Sequence, residues 1–90
     1  MKAEIKMNFK DELEWQDFPD TSPSEMGYYY TCYWHSEDNC NYYKAIYWNG
    51  NEWVKWRKTL PELKVSRFIE SSRSDYYTVC VEKIQSALGY

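Results

Sequence analysis

Large aromatic side chains are concentrated in the middle of this sequence, and this concentration most constrains its fold. Residues 28–56 contain seven of the ten tyrosines and four of the five tryptophans, whereas Ile, Leu, Val and Phe together supply only 15 of the 90 residues. So low an aliphatic share is typical of disordered chains, but a buried Tyr or Trp removes about 150–250 Å² from water. We therefore expect one small folded domain, residues 1–90, with an aromatic core and an aromatic-rich surface.

Alternation, aromatic runs and turn residues divide the chain into predicted elements. Alternation with period two predicts a half-buried strand, aromatic and β-branched runs also predict strands, and Asn49-Gly50 between two such runs predicts a hairpin. The predicted elements are a strand over 2–9, a loop over 10–26, strands over 28–34, 42–48, 52–57 and 63–69, and a helix over 75–88. For 63–69, a short helix opened by the capping box Thr59–Glu62 is the alternative.

The C-terminal segment has the apolar spacing of an amphipathic helix. It follows a polar break over 71–74. The apolar residues recur at i, i+4 and i+8 and are Tyr76, Tyr77, Cys80, Val81, Ile84, Ala87 and Leu88. Ser74 suits the N-cap and Gly89 suits the C-terminal cap. The expected fold class is α+β, an antiparallel β-sheet of about four or five strands with a C-terminal α-helix packed on one face.

The predicted hairpin has two unlike faces. A two-residue loop at Asn49-Gly50 pairs Trp48 with Asn51 and fixes which side chains share a face. The face expected to form the core carries Tyr43, Ala45, Tyr47, Val54 and Trp56. The face expected to be partly exposed mixes aromatic and basic side chains, namely Tyr42, Lys44, Ile46, Trp48, Trp53, Lys55 and Arg57.

Charge is distributed unevenly along the chain. Residues 1–41 carry nine acids and three lysines, whereas residues 42–90 carry five acids and eight bases. The stretch 11–25 has six acids and no base. Such a stretch either steers a basic partner toward the chain or is a solvated loop.

The three cysteines, Cys32, Cys40 and Cys80, form an odd set that does not suit a disulfide framework. The chain shows no signal peptide and no run of about 18 apolar residues for a membrane span, so we expect reduced thiols in the cytoplasm. Zinc held by Cys32, His35, Cys40 and Cys80 is the alternative to cysteines that serve as small core residues. We expect no cofactor.

The sequence predicts a binding module and not an enzyme. Cys32 and His35 are the only neighbouring Cys–His pair, and three glycines leave no phosphate loop. Tyr, Trp and Arg dominate protein-binding hot spots. The candidate partner-binding residues are Asp11, Glu12, Glu14, Asp17, Tyr42, Trp48, Trp53 and Arg57. Single-stranded nucleic-acid binding by the aromatic and basic hairpin face is an alternative, which the net charge of −3 disfavours; homo-oligomerisation stays open.

Residues 15–56 resemble small phage and prophage proteins. The resemblance is carried by the order Trp15-x-x-Phe18-Pro19, Gly27-Tyr28-Tyr29 and Tyr47-Trp48-Asn49-Gly50-x-x-Trp53. It implies a phage-encoded accessory protein in the bacterial cytoplasm. Such a protein is expected to inhibit a host protein such as a CRISPR-Cas or other defence nucleoprotein complex, as anti-CRISPR proteins do, by steric and electrostatic occlusion. We expect the acidic stretch to face a basic channel of that partner.

Overall fold

The computed structural model describes residues 14–87. The elements are β1 (Trp15–Asp17), β2 (Gly27–His35), β3 (Cys40–Trp48), β4 (Trp53–Val54), β5 (Lys64–Ser74) and α1 (Tyr77–Ala87). The strand predicted over 2–9 lies outside the described residues, as does Gly89, the predicted cap of the helix.

The strands form one antiparallel sheet in the order β1-β5-β2-β3-β4. β2 is central and pairs along its whole length with β3, from Gly27 opposite Trp48 to His35 opposite Cys40. The helix α1 packs against β5, β2 and β3. The predicted fold class, an antiparallel sheet with a C-terminal helix on one face, is confirmed.

β5 is longer than the sequence predicted. Residues 63–69 were expected as a strand and 71–74 as a polar break, but the strand continues to Ser74. It can do so because the buried Ser72 hydroxyl is satisfied within the sheet, accepting the Tyr30 N–H at 2.8 Å and donating to the Ile69 carbonyl at 2.5 Å. The polar break is therefore wrong, and the alternative of a short helix over 63–69 is also wrong.

The loop predicted over 10–26 contains the short edge strand β1. Trp15 lies opposite Ile69 and Asp17 lies opposite Arg67 in the pairing with β5. β1 forms because it pairs with β5, a strand far along the chain. Its three residues are too few to show an alternation of apolar and polar side chains.

The β3–β4 hairpin has a four-residue loop, and β4 has two residues where the sequence predicted a strand over 52–57. Trp48 pairs with Trp53, two positions beyond the predicted partner Asn51. The Asn49 side chain explains the longer loop, because its Oδ1 accepts the N–H groups of Asn51 at 2.8 Å and Glu52 at 2.7 Å.

The main core lies on the sheet face away from the helix, which we call the tryptophan face. Its buried side chains are Tyr29, Tyr33, Ile46, Trp48, Trp53, Val65 and Phe68. No helix of the described residues covers this face; Phe18 and Leu63, from the connecting segments, pack on it instead. A smaller cluster, in which Ile84 of α1 packs with Ile69, lies beneath the helix.

The predicted roles of the two hairpin faces are only partly right; Ala45 is buried as expected. The shift of two positions in the pairing keeps the side chains of β3 and β4 on their predicted faces, since side chains alternate with period two. However, Trp48 and Trp53 are in the core, whereas Val54 and Trp56 are exposed. Within residues 14–87, the helix α1 is too short and too polar to cross a lipid bilayer.

Candidate functional site: an aromatic–lysine cleft

The structure separates the predicted partner-binding residues into buried and exposed ones. Trp48 and Trp53 are only 6% and 8% exposed, so their rings are not available to a partner. Tyr42 and Arg57 are exposed. The hypothesis that one hairpin face presents all four side chains is wrong, because connecting segments cover that face around the two tryptophans.

The acidic candidates lie far from the hairpin. Glu14 and Asp17 are exposed at β1, the opposite edge of the sheet from β3 and β4; we call this pair the β1 edge. Neighbouring strands are about 4.8 Å apart, so β1 and β3 are separated by roughly 14 Å. Asp11 and Glu12 lie outside the described residues.

The four residues considered for zinc do not form a ligand cluster. Cys32 and Cys80 are buried free thiols, whereas Cys40 is exposed at the turn that joins β2 to β3. Burial raises the pKa of the Cys80 thiol to about 11, so that thiol is protonated at neutral pH. Among residues 14–87, no three His, Cys, Asp or Glu side chains are arranged to hold a metal ion.

Exposed aromatic side chains instead surround a cleft beside β3. The cleft has a volume of about 290 Å³ and lies between β3, the start of α1 and the segment that follows β4. We call it the aromatic–lysine cleft, and the side chains that characterise it are Tyr28, Lys44, Tyr47, Lys55, Trp56 and Tyr77. Trp56 is 39% and Tyr77 is 42% exposed.

Lys44 lies at the centre of this cleft. Its Nζ is 4.9 Å from the centroid of the Trp56 ring and 5.4 Å from that of the Tyr77 ring, and it donates a long hydrogen bond of 3.4 Å to the Tyr77 hydroxyl. Both ring contacts are within the range of cation–π attraction. Within the described part of the chain, no carboxylate forms an ion pair with Lys44 or Lys55.

Contacts between rings hold the walls of the cleft in place. Tyr28 packs edge-on against Tyr47 at 5.1 Å and against Tyr77 at 5.9 Å between centroids. Trp56 packs against the buried Tyr33 at 5.8 Å. The cleft is therefore built on the sheet and the core, and binding a ligand would order few additional groups.

Sequence reasoning assigned Trp56 to the core and Tyr77 to the buried stripe of the helix, so it missed both walls of the cleft. The error for Trp56 has a structural cause, since β4 ends at Val54 and the strand alternation does not reach residue 56. The run Lys55-Trp56-Arg57-Lys58, an aromatic residue among bases, was the signal that could have placed Trp56 at the surface.

Tyr42 is held by its own turn. Asp38 accepts a hydrogen bond from the Tyr42 hydroxyl, and this bond, together with partial burial and the negative charge, raises the pKa of Tyr42 to about 12. The Asp38 N–H donates to His35 Nδ1 at 3.3 Å, and the His35 ring lies 4.9 Å from the Tyr42 ring. These three residues close the β2–β3 turn.

No protein-family model matches the sequence, and no curated protein or solved structure matches the chain significantly. A function for the aromatic–lysine cleft therefore rests on its own chemistry.

Proposed function

We propose that this protein is a non-catalytic protein-binding module that anchors its partner in the aromatic–lysine cleft. The observation that carries the proposal is the joint exposure of Trp56 and Tyr77 around a lysine that has no carboxylate partner in residues 14–87. Large aromatic and basic side chains in a preformed depression are the common make-up of binding hot spots.

The size and lining of the cleft support this reading. Its volume of about 290 Å³ is at the lower end of the range for small-molecule sites, about 300–1,000 Å³, and suits one or two side chains of a partner. Of the described residues that line it, none is a Cys, His, Ser, Asp or Glu. It therefore offers no Ser–His or Cys–His pair for covalent catalysis.

The resemblance to phage and prophage proteins extends the proposal to the identity of the partner. The proposed partner is a bacterial host protein or protein–nucleic acid complex in the cytoplasm, such as a defence complex, which the module inhibits by occlusion. The exposed acids of the β1 edge would face a basic surface of that partner, because complementary charge speeds association.

Affinity capture from a bacterial lysate tests the proposal. The bait is the tagged protein, compared with Trp56→Ala and Tyr77→Ala. The matched control is Tyr76→Ala, because Tyr76 is 69% exposed beside Tyr77 but does not line the cleft. We expect the wild type and the control to retain the same bacterial protein in mass spectrometry, and both cleft variants to lose it. A partner retained equally by all four baits would contradict the proposed anchor site.

A further inference from the structure

We infer that the aromatic–lysine cleft selects a partner segment in which an acidic residue stands next to an aromatic or aliphatic one. The carboxylate binds the Lys44 ammonium, and the neighbouring apolar side chain packs against Trp56 and Val54. This inference rests on the proposed function and names the chemistry of the segment that the cleft recognises.

The charge of Lys44 is available to an incoming carboxylate. An ammonium group has three N–H donors, and the only hydrogen bond that Lys44 Nζ makes in residues 14–87 is the long one to Tyr77. Lys44 is half-buried, where solvent screens its charge less than at the open surface. A carboxylate that enters the cleft would form a charge-assisted hydrogen bond, which is about twice as strong as a neutral one. Lys55 lines the same cleft and adds positive potential.

An apolar rim lies beside the lysines of the cleft. Val54 is 38% and Trp56 is 39% exposed, and both line the cleft beside Lys55. An apolar side chain placed there would remove their surface from water, at roughly 25 cal/mol per Å². The cleft therefore has a cation beside an apolar rim. A partner segment that has a carboxylate beside an apolar side chain is complementary to it.

The position of Lys44 favours a carboxylate over a nucleic acid. A nucleic-acid base would have to stack on the faces of Trp56 or Tyr77, but the Lys44 ammonium already lies over both rings. A carboxylate binds the Lys44 ammonium in its present position, whereas a stacked base must displace that ammonium from the ring face. The net charge of −3 also disfavours a polyanion, whose binding depends on many basic contacts.

The experiment is an NMR titration of the ¹⁵N-labelled full chain with two synthetic peptides. One is a short capped peptide in which glutamate alternates with phenylalanine and leucine, and the other has glutamine in place of every glutamate. The reporters are the Trp56 indole N–H, assigned with Trp56→Phe, and the backbone amides of Lys44 and Tyr77. The protein variants are Lys44→Met, which keeps a long apolar stem between the rings, and Lys64→Met, an exposed lysine that does not line the cleft.

We expect the glutamate peptide to shift these reporters and to bind about tenfold more tightly than the glutamine peptide. Lys44→Met should abolish the difference between the peptides, and Lys64→Met should preserve it. Circular dichroism establishes that both variants are folded. Equal binding of the two peptides, or no shift at millimolar peptide, would overturn the inference.

Two further measurements test whether the cleft binds a nucleic acid or a second copy of this chain instead. Shifts of the same reporters by a short oligothymidylate, lost in Lys44→Met, would make the cleft a nucleic-acid site. Shifts that depend on protein concentration alone, with a second species in sedimentation, would make it a contact between two copies of this chain. Either result overturns the inference. If both peptides fail while the Trp56→Ala bait still loses its partner from the lysate, this inference fails and the proposed function stands.

Discussion

At the scale of single residues, Trp53 combines deep burial with an unmet hydrogen bond. The side chain is 8% exposed and contacts Trp48, Tyr29 and Phe68 at ring-centroid distances of 4.9, 6.1 and 6.0 Å. Its indole Nε1–H is buried and has no hydrogen-bond partner within residues 14–87. A buried donor without a partner costs about 1–3 kcal/mol, so part of the stabilisation from burying the ring is lost.

We therefore predict that Trp53→Phe is tolerated far better than Trp53→Ala. Phenylalanine removes the unmet donor while it keeps most of the ring contacts, so the free energy of unfolding should fall by about 1 kcal/mol or less. Alanine leaves a cavity and should cost about 3–5 kcal/mol. Urea denaturation measures both values, and a loss well above about 1 kcal/mol in Trp53→Phe would show that removing the unmet donor does not offset the lost ring contacts.

The Tyr42 hydroxyl makes the free energy of unfolding depend on pH. Asp38 raises the pKa of Tyr42 to about 12 in the folded protein, against an ordinary value of about 10 in the unfolded chain. Between these two values the folded state binds more protons than the unfolded state. The contribution of this group to stability is therefore complete below about pH 10 and is lost as the pH rises through about 12.

The measurement is an NMR titration of the Tyr42 ring carbon that bears the hydroxyl, with Tyr42→Phe used to assign the signal. The wild-type midpoint should lie near pH 12. Asp38→Asn removes the negative charge beside the phenol, so the midpoint should move down toward the ordinary value. An unchanged midpoint in Asp38→Asn would mean that Asp38 does not control this pKa.

At the scale of elements, the side chain of Asn49 fixes the β3–β4 loop. Its Oδ1 accepts two backbone N–H groups, and Gly50 beside it adopts a φ of +95°, a conformation that side-chain-bearing residues rarely adopt. We predict that Asn49→Ala lowers the free energy of unfolding by about 1 kcal/mol, whereas Asn49→Asp, which keeps an acceptor oxygen, costs less. Equal losses in thermal or urea unfolding would assign the effect to something other than these two bonds.

The same hairpin shows how far local sequence predicts an element. Asn49-Gly50 and the flanking aromatic runs identified the hairpin and sorted the side chains of β3 and β4 correctly into two faces. They could not identify the buried face, because Phe18 and Leu63 cover the tryptophan face from distant parts of the chain. The strands β2 and β3 and the first half of β5 were predictable from their own residues, whereas β1 depends on its pairing with β5.

The candidate site was predictable in composition and not in position. An exposed surface of aromatic and basic side chains was expected, and Tyr42 and Arg57 are indeed exposed. The cleft itself requires Lys44 of β3, Trp56 after β4 and Tyr77 of α1 to meet, and only the tertiary structure brings the helix to this edge of the sheet. Spacing along the sequence contains no information about that meeting.

At the largest scale, the order of the strands places two exposed acids at one edge of the sheet and the two cleft lysines near the other. The β1 edge carries the exposed acids Glu14 and Asp17, and the other edge carries the cleft with Lys44 and Lys55. Exposed charges act mainly on the rate of association, whereas a desolvated anchor acts on the rate of dissociation. The two edges should therefore affect different steps in the binding of one partner.

We predict that neutralising the β1 edge and removing the Lys44 charge have additive effects on affinity. The double variant Glu14→Gln/Asp17→Asn should slow association with the captured partner at low salt and leave dissociation unchanged, whereas Lys44→Met should speed dissociation. Because β1 and β3 are separated by roughly 14 Å, the combined effect should equal the sum to within about 0.5 kcal/mol. Surface plasmon resonance at two salt concentrations gives both rates for each variant. A coupling energy well above that limit would show that the partner links the two edges, and an association rate unaffected by the β1-edge variant would remove its acids from the mechanism.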